Sequence, residues 1–574
     1  MYHKSLFPPL PQIPEQNVHH FLLDRQDQKS WPDFTFQVDV PTSRRRTFKE
    51  FLERVRDGAT ALGTDTEHGG LGVLRENDEI VGILSENCLD YVALVHSLLA
   101  ITVPFVTFSC YSTTFELQHA AKVSGATRLF VSPALLHLAH VSGLPDDRIY
   151  ILEGEVEGYT SYSALVNRVR RKGMPRLPIR PAQNDTLAYL VFSSGTTGLP
   201  KAVMITHGNL LASLYQYAVA GQEVAKVQKR QKWNGPGGMQ VLFNVLPIHH
   251  TYGLNIATLR CFSEPVTVLF LSKWNSETFL DAIPKLVLSY RVTTLYLVPS
   301  LVYQLLHHPR FNAADVSTVQ AIQCGAAYLP VHLAERLQSQ FPGVERVGEG
   351  YGMSECTLAI SRKPVPGMLG GRAKDVPGSA GMLLPGMEAR VVRDDGTLAA
   401  VNEAGELHVR GDCVSPGYWK DEAATKAAFV DGWLRTGDRI RIDADGVLYF
   451  EDRTKDTLKV SGMQVSPMEI ENTIFSHPDK LVDDVTVAGV SGGRTSDERV
   501  PRAWIVLSPA GKELGSARAV QRIEAWVQAC LSRYKWLRGG IAVIDEIPKS
   551  CAGKVLRREL VNQYEATRTT MARL

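Results

Sequence analysis

Along the first two-thirds of the chain, short runs of β-branched and apolar residues alternate with longer stretches whose apolar positions recur at helical spacing. Strand-like runs fall at Ile80–Leu84, Arg128–Val131, Leu187–Phe192, Val241–Leu246, Val266–Leu271 and Thr293–Val298. Helical period covers Thr114–Val123, Asn209–Ala220, Glu277–Tyr290 and Val331–Phe341. Parallel strands need a crossover of a dozen or more residues, usually a helix, so this alternation predicts layered α/β architecture with largely parallel sheets.

From about residue 378 the texture changes. Gly and Pro become frequent, and short strands follow one another at Glu388–Val392, Gly405–Val409, Arg439–Ile442 and Val447–Phe450. That pattern predicts a small β-barrel or antiparallel sheet attached to the α/β body. The last stretch reads as a small α+β unit, with strands at Val482–Val490 and Ala503–Leu507 and a helix at Ala517–Leu531. Charged residues abut with few apolar positions at Asp452–Lys455, which marks a boundary. The expected organisation is an N-terminal body over 1–452, a hinge at 453–456 and a C-terminal domain over 457–574.

One apolar stretch changes the class question. Tyr91 to Phe115 carries no Asp, Glu, Lys or Arg, a length that raises a membrane span. His96, Ser97, Pro104 and several threonines interrupt it, so a buried helix near 89–100 followed by a buried strand near 103–108 is expected instead.

Composition narrows the class further. The 574 residues are 44% hydrophobic and 21% charged, which excludes a disordered or fibrous chain. A net charge of +2 offers no electrostatic footprint for nucleic acid or a membrane surface. The eight cysteines are scattered singly with no C-x-x-C pair, so reduced thiols are expected rather than a zinc site. The N-terminus is broken by prolines and has no apolar core of a signal peptide. The last three residues, Ala572-Arg573-Leu574, share the small–basic–leucine chemistry of the peroxisomal address, which implies a peroxisomal import receptor as partner and otherwise a cytoplasmic location.

The sharpest chemical signal is Ser193-Ser194-Gly195-Thr196-Thr197-Gly198-Leu199-Pro200-Lys201, directly after the strand-like run Leu187–Phe192. Glycines let backbone N–H groups ring an anion, hydroxyls add donors, and lysine adds a point charge. Such a loop suits a polyphosphate. It lacks the G-x-x-x-x-G-K-[ST] order of a Walker A loop.

This loop resembles the signature of the adenylate-forming superfamily of acyl-CoA synthetases, peptide-synthetase adenylation domains and beetle luciferases. Further matching segments follow in order: Leu246 to Gly253 (LPIHHTYG), Cys324 to Ala327 (CGAA), Gly350 to Glu355 (GYGMSE), Gly432 to Asp438 (GWLRTGD), Asp452 to Asp456 (DRTKD) with Lys459 and Gly462, and Pro548 to Lys554 (PKSCAGK). The closest texture is that of 4-coumarate–CoA ligase-like enzymes.

The resemblance implies ATP, Mg²⁺ and coenzyme A as cofactor and co-substrates, a small-molecule carboxylic acid as substrate, and a mobile C-terminal domain. It assigns the loop Ser193–Gly198 and Lys201 to the phosphates, and Glu355 with Thr196 to magnesium. Gly325, Ala326 and Ala327 border the adenine and the acid pocket, and Gly350, Tyr351 and Ser354 lie against the nucleotide. Asp438 and Arg453 hold the ribose. His250 lies by the acid's carboxylate, with Tyr252, Ile256 and Gly325 along the acid pocket. Lys554 bridges the attacking carboxylate and the α-phosphate, Lys455 marks the hinge, and Lys459 and Gln464 contact the adenylate. Read without the resemblance, His249-His250 on a strand would point to opposite faces and make no chelate alone, with a structural role competing for His249.

Three positions depart from the pattern. Ala202 follows the signature lysine where glycine is usual, which would strain the loop if φ must be positive there. Glu349 replaces a glutamine and adds negative charge near the nucleotide. Ser354 stands for threonine and keeps the hydroxyl. The expected activity is AMP-forming ligation of an aromatic or medium-to-long aliphatic acid to coenzyme A. The alternatives are a free-standing enzyme loading a carrier protein, a luciferase-like oxygenase, and an inactive nucleotide-binding relative.

Overall fold

The computed structural model describes residues 1–193, 199–229, 231–306, 308–327, 329, 331–393, 395–453, 458–460, 463–492, 499–548 and 557–571. The α/β body carries two sheets. In the first, the strands Ile149–Ile151, Arg128–Val131, Val81–Leu84, Phe105–Phe108 and Leu187–Ser193 run parallel, and Lys201–Thr206 closes the edge antiparallel. In the second, Thr35–Asp39, Val266–Phe270, Gln240–Asn244, Thr294–Leu297, Ala321–Cys324 and Val347–Tyr351 lie parallel in that spatial order. Antiparallel strands then continue the same sheet from Val347–Tyr351, through Ser361–Arg362 and Gly381–Leu383, to the ladder of Trp433–Ile442 with Val447–Arg453. The antiparallel region expected beyond residue 378 is therefore an extension of the sheet that lines the cavity described below.

The uncharged stretch at Tyr91 resolves as expected. Leu89–Ala100 is a helix with all twelve residues buried, and Phe105–Phe108 is a fully buried strand. Several of its polar groups find internal partners, although the Tyr91 hydroxyl and His96 Nδ1 have none among the described residues. The Ser97 hydroxyl lies 2.9 Å from the Val55 carbonyl, and His96 Nε2 lies 2.6 Å from that of Thr258. Asp90 in its first turn is buried against Arg46 and Arg54, each 2.7 Å from Oδ1. Burial pushes the Asp90 carboxyl upward, but the two guanidinium groups outweigh it and hold it below its ordinary range. Among the described residues no helix is long and apolar enough to cross a membrane.

The smaller C-terminal domain has its own core. Val482–Ser491 pairs antiparallel with Arg499–Leu507, Ile541–Val543 adds a parallel strand, and the helices Pro467–Phe475 and Ser516–Cys530 pack on the sheet. The seven described cysteines carry no disulfide.

The two domains meet through a buried ionic cluster. Thr113 and Glu116 form a capping box at the start of the helix Thr114–Ser124. The same Glu116 carboxylate accepts from Ser532 Oγ and Lys535 Nζ of the C-terminal domain. Lys535 also donates to Glu469 at 2.9 Å, and Thr113 Oγ1 donates to the Cys530 carbonyl at 2.6 Å. Burial opposes the charge on Lys535, but Glu469 and Glu116 outweigh it and raise the lysine well above its ordinary value. Glu116 is held below the ordinary carboxylate range by Lys535 against the upward push of burial, whereas burial wins at Glu469.

Removing one partner of a buried ion pair leaves the other charge uncompensated, at a cost of about 3–5 kcal/mol. Lys535→Met should therefore lower the melting temperature of the full chain and speed proteolytic release of the C-terminal domain; an unchanged melt and digestion pattern would refute the cluster's role. The pH dependence has a defined sign. Glu116 is depressed in the folded chain, so its contribution is present above its unfolded value and lost as pH falls through its folded value. Acidification should loosen the domains in wild type more than in Glu116→Gln.

Candidate active site

A cavity of about 360 Å³ runs along one face of the second sheet. Side chains on alternate strand positions share a face, and the pairs Thr294/Tyr296, Ala321/Gln323 and Glu349/Tyr351 all line it. Ser193, His249, His250 and Gly325 border it from the body. Met463, Tyr534 and Lys535 border it from the C-terminal domain, so the ionic cluster sits at the cavity's rim.

At one end, Ser193 closes the strand Leu187–Ser193 just before the signature loop. Its hydroxyl donates to Glu355 Oε1 at 2.9 Å, and the Tyr418 hydroxyl donates to the same oxygen at 3.0 Å. Glu355 is buried, and two donors on one oxygen leave Oε2 bonded by neither hydroxyl. Lys201 lies 5.1 Å over the Tyr418 ring. A buried carboxylate with a lysine nearby, at the mouth of a glycine- and hydroxyl-rich loop, is a donor set that suits a hard cation on phosphates. Ser194, Gly195, Thr196, Thr197 and Gly198 lie outside the described residues.

The concern over Ala202 does not materialise. The residue sits on the strand Lys201–Thr206, paired with Phe192, with ordinary strand backbone. Among the matched motif residues Ala326 does have a positive φ, at 68°. The glycines around Tyr351 have a steric cause, since a Cβ on Gly352 would collide with the Leu358 carbonyl.

Tyr351 and Asp438 meet directly, the phenol donating to Oδ2 at 2.7 Å. Asp438 is 3% exposed, and Arg453 is its register partner on the neighbouring strand. The two ribose candidates thus share one rung of the ladder. Ser354 Oγ lies 2.8 Å from Thr251 Oγ1, which ties the Gly350 segment to the histidine segment. The extra charge expected of Glu349 is compensated, because Lys363 Nζ donates to its carboxylate. Burial nonetheless keeps that carboxyl above its ordinary value, against the pull of Lys363.

The histidine reading needs correction. His249 and His250 lie in a turn after the strand Gln240–Asn244, so strand alternation does not apply, and both border the cavity. His250 caps the helix Thr251–Leu254, its Nδ1 accepting from the Tyr252 N–H at 3.3 Å. Burial brings its ring down to about 4, so the imidazole is neutral at ordinary pH and carries its proton on Nε2. It therefore offers one N–H donor to an oxygen in the cavity. His249 is lowered to about 3, first by burial and then by His250, and its Nε2 has no partner among the described residues. A Cβ on Gly325 would stand 3.5 Å from the Tyr252 ring, which puts both on one stretch of wall, and Ile256 borders the cavity one helical turn further.

Lys459 and Gln464 face each other across the two-stranded ladder of Leu458–Val460 with Met463–Val465. Lys455, Lys554 and the terminal Ala572-Arg573-Leu574 lie outside the described residues. Four residues at or around the cavity escape sequence reasoning: Tyr418, Lys363, Lys535 and Arg260. Only Arg260 has a sequence signal, since it continues the four-residue spacing of Tyr252 and Ile256.

The comparisons with known proteins agree with this geometry. The acyl-CoA ligase AFT1-1 of Alternaria alternata is 30% identical over 519 residues, covering 86% of this chain and 85% of that protein. The 4-coumarate–CoA ligase-like 6 of Oryza sativa subsp. japonica is 32% identical over 541 residues, 92% of this chain and 84% of that one. Among solved structures, the amide bond synthetase McbA from Marinactinospora thermotolerans matches with a TM-score of 0.73 at 22% identity, over 92% of this chain and 97% of that chain. That likeness carries the fold alone. Residues 24–419 match the family described as AMP-binding enzyme, and with a cavity built from its ordered motifs the chain belongs to that family.

Proposed function

We propose that the protein is an ATP-dependent acyl-CoA ligase that activates a carboxylic acid as an acyl-adenylate and transfers the acyl group to coenzyme A. The observation that carries this reading is one continuous cavity bordered by Ser193, Tyr351 and His250, with Glu355 held by Ser193 behind its wall.

In the first half-reaction the carboxylate attacks the α-phosphorus in line and pyrophosphate leaves. Catalysis of phosphoryl chemistry of this kind is mainly positioning and charge stabilisation. Asp438 and Tyr351 hold the nucleoside end, and the neutral His250 donates to a carboxylate oxygen. Lys554 supplies positive charge to the bridging oxygens. Glu355, with Thr196, would hold Mg²⁺, which neutralises phosphate charge when bound. In the second half-reaction the thiol sulfur of coenzyme A attacks the acyl carbon and AMP leaves. One lysine cannot serve both geometries, so the C-terminal domain turns about Lys455 between them, which requires the Lys535 cluster to open. Adenylation rests on the ordered motifs, and coenzyme A as acceptor rests on the likeness to named CoA ligases. The acid remains aromatic or medium-to-long aliphatic in this reading, and peroxisomal delivery rests on Ala572-Arg573-Leu574.

A panel of acids with ATP and coenzyme A, scored for AMP and thioester, tests the reaction. AMP without thioester would favour a carrier-protein acceptor, and light from luciferin with ATP would favour the oxygenase. Lys554→Ala should abolish acid-dependent ATP–pyrophosphate exchange yet largely spare thioester formation from supplied acyl-adenylate. Equal loss of both steps would rule that role out. Glu355→Gln should lower exchange by roughly a hundredfold, the scale of removing one charge-stabilising group, and raise the magnesium needed for half-maximal rate.

A further inference from the structure

The helix face beyond the carboxylate end carries a feature that the ligase reading does not use. Tyr252, Ile256, Arg260 and Glu264 recur every four residues and all border the cavity. The segment runs from the helix Thr251–Leu254 through the π-helix Asn255–Leu259 into the turn Arg260–Phe262. A wound-open helix keeps a spacing of four close to one face, so the row stays on the cavity wall. From Tyr252 to Arg260 is eight residues, or about 12 Å at the α-helical rise. The strand that meets Tyr252 at Gly325 agrees: Gly325 back to Ala321 is four strand residues, or about 13 Å, and both border the cavity. The cavity thus has a nucleotide end and a distal end, and Arg260 stands at the distal one.

Among the described residues, Arg260 is held there without an ion-pair partner. Its Nη2 donates to Ser213 Oγ at 3.0 Å, and its guanidinium lies 5.0 Å from the Tyr217 ring centre. Both partners are uncharged. Its Nε is shut off from solvent and has no hydrogen-bond partner among the described residues. Glu264 follows on the same row and is engaged elsewhere; among the described residues no ion pair joins it to Arg260. A second guanidinium, Arg362, borders the same cavity and makes no ion pair among the described residues. Burial lowers Arg260, the repulsion of Arg362 adds a smaller push the same way, and Tyr296 lies in the field of both cations. A desolvated guanidinium without a carboxylate is costly, and a planar guanidinium fork matches a carboxylate's two oxygens.

Resting on the ligase reading above, we propose that the acid carries a second anionic group. The substrate class is a dicarboxylic acid of medium length, adenylated at the His250 end while its far carboxylate pairs with Arg260, supported by Arg362. Aromatic and aliphatic spacers both fit, since the wall between is Tyr252, Ile256 and Tyr296.

The test compares kcat/KM for AMP release from matched pairs, suberic against octanoic acid and sebacic against decanoic acid, with ATP and coenzyme A. Wild type is expected to favour the diacid. Arg260→Met should lower the diacid-to-monoacid ratio by on the order of a hundredfold, mainly through KM, because a charge-assisted bidentate contact is lost. Arg362→Gln should lower it less, and it decides the matter should the first variant fail to fold. A monoacid preference in wild type, or a ratio that neither substitution moves, overturns the proposal and leaves the ligase reading standing. No AMP from any acid overturns the ligase reading, and this inference with it.

Discussion

Lys535, buried between Glu116 and Glu469, is the interaction on which the described arrangement depends. The cavity is walled on one side by the body and on the other by Met463, Tyr534 and Lys535. Unless the domains are docked, that second wall is absent and the nucleotide end is open to water. A buried lysine between two carboxylates suits a contact that can both hold and release. It is strong only while all three groups stay dry, and rehydration on opening recovers much of each group's solvation. An apolar seam of the same area would lack that reversal, because exposing it to water is unfavourable throughout.

The same economy of charge runs through the body. Asp90 has Arg46 and Arg54, Glu349 has Lys363, and Glu355 has two hydroxyls. The first two are settled by the protein alone. Glu355 is satisfied by neutral donors, so its charge remains available at the loop mouth. Arg260 is likewise satisfied only by a hydroxyl and a ring face. Of these two groups, one anionic and one cationic, Arg260 borders the cavity and Glu355 accepts from Ser193, which borders it. A cation with phosphates at one end and an anionic tail at the other would complete them both.

Much of the fold was legible because local and tertiary preferences agree. The buried helix Leu89–Ala100, the strand Arg128–Val131 and the strand Glu388–Val392 stand where period and β-branched content put them. Others lengthen where tertiary pairing extends them. Asn209–Ala220 becomes His207–Val227, because Thr206 and Asn209 form a capping box one turn earlier and the mostly exposed residues after Ala220 continue the helix. Arg439–Ile442 becomes Trp433–Ile442 because its neighbours supply ladder partners to residues with no alternating pattern of their own.

The site was less legible, for a reason that the histidines make concrete. A strand rule assigned His249 and His250 to opposite faces, yet the chain leaves the sheet at Asn244 and turns, so the rule's premise ends five residues early. Ala202 shows the converse: a residue exchange that looks strained in a loop is ordinary once it belongs to a strand. Charges that act across the fold are the least legible of all. Glu116 reads as a capping-box acid and is one, but its second role depends on a lysine 419 positions away. No window of sequence contains both groups. Only the docking of the two domains gives Glu116 a cationic partner, and that partner borders the cavity.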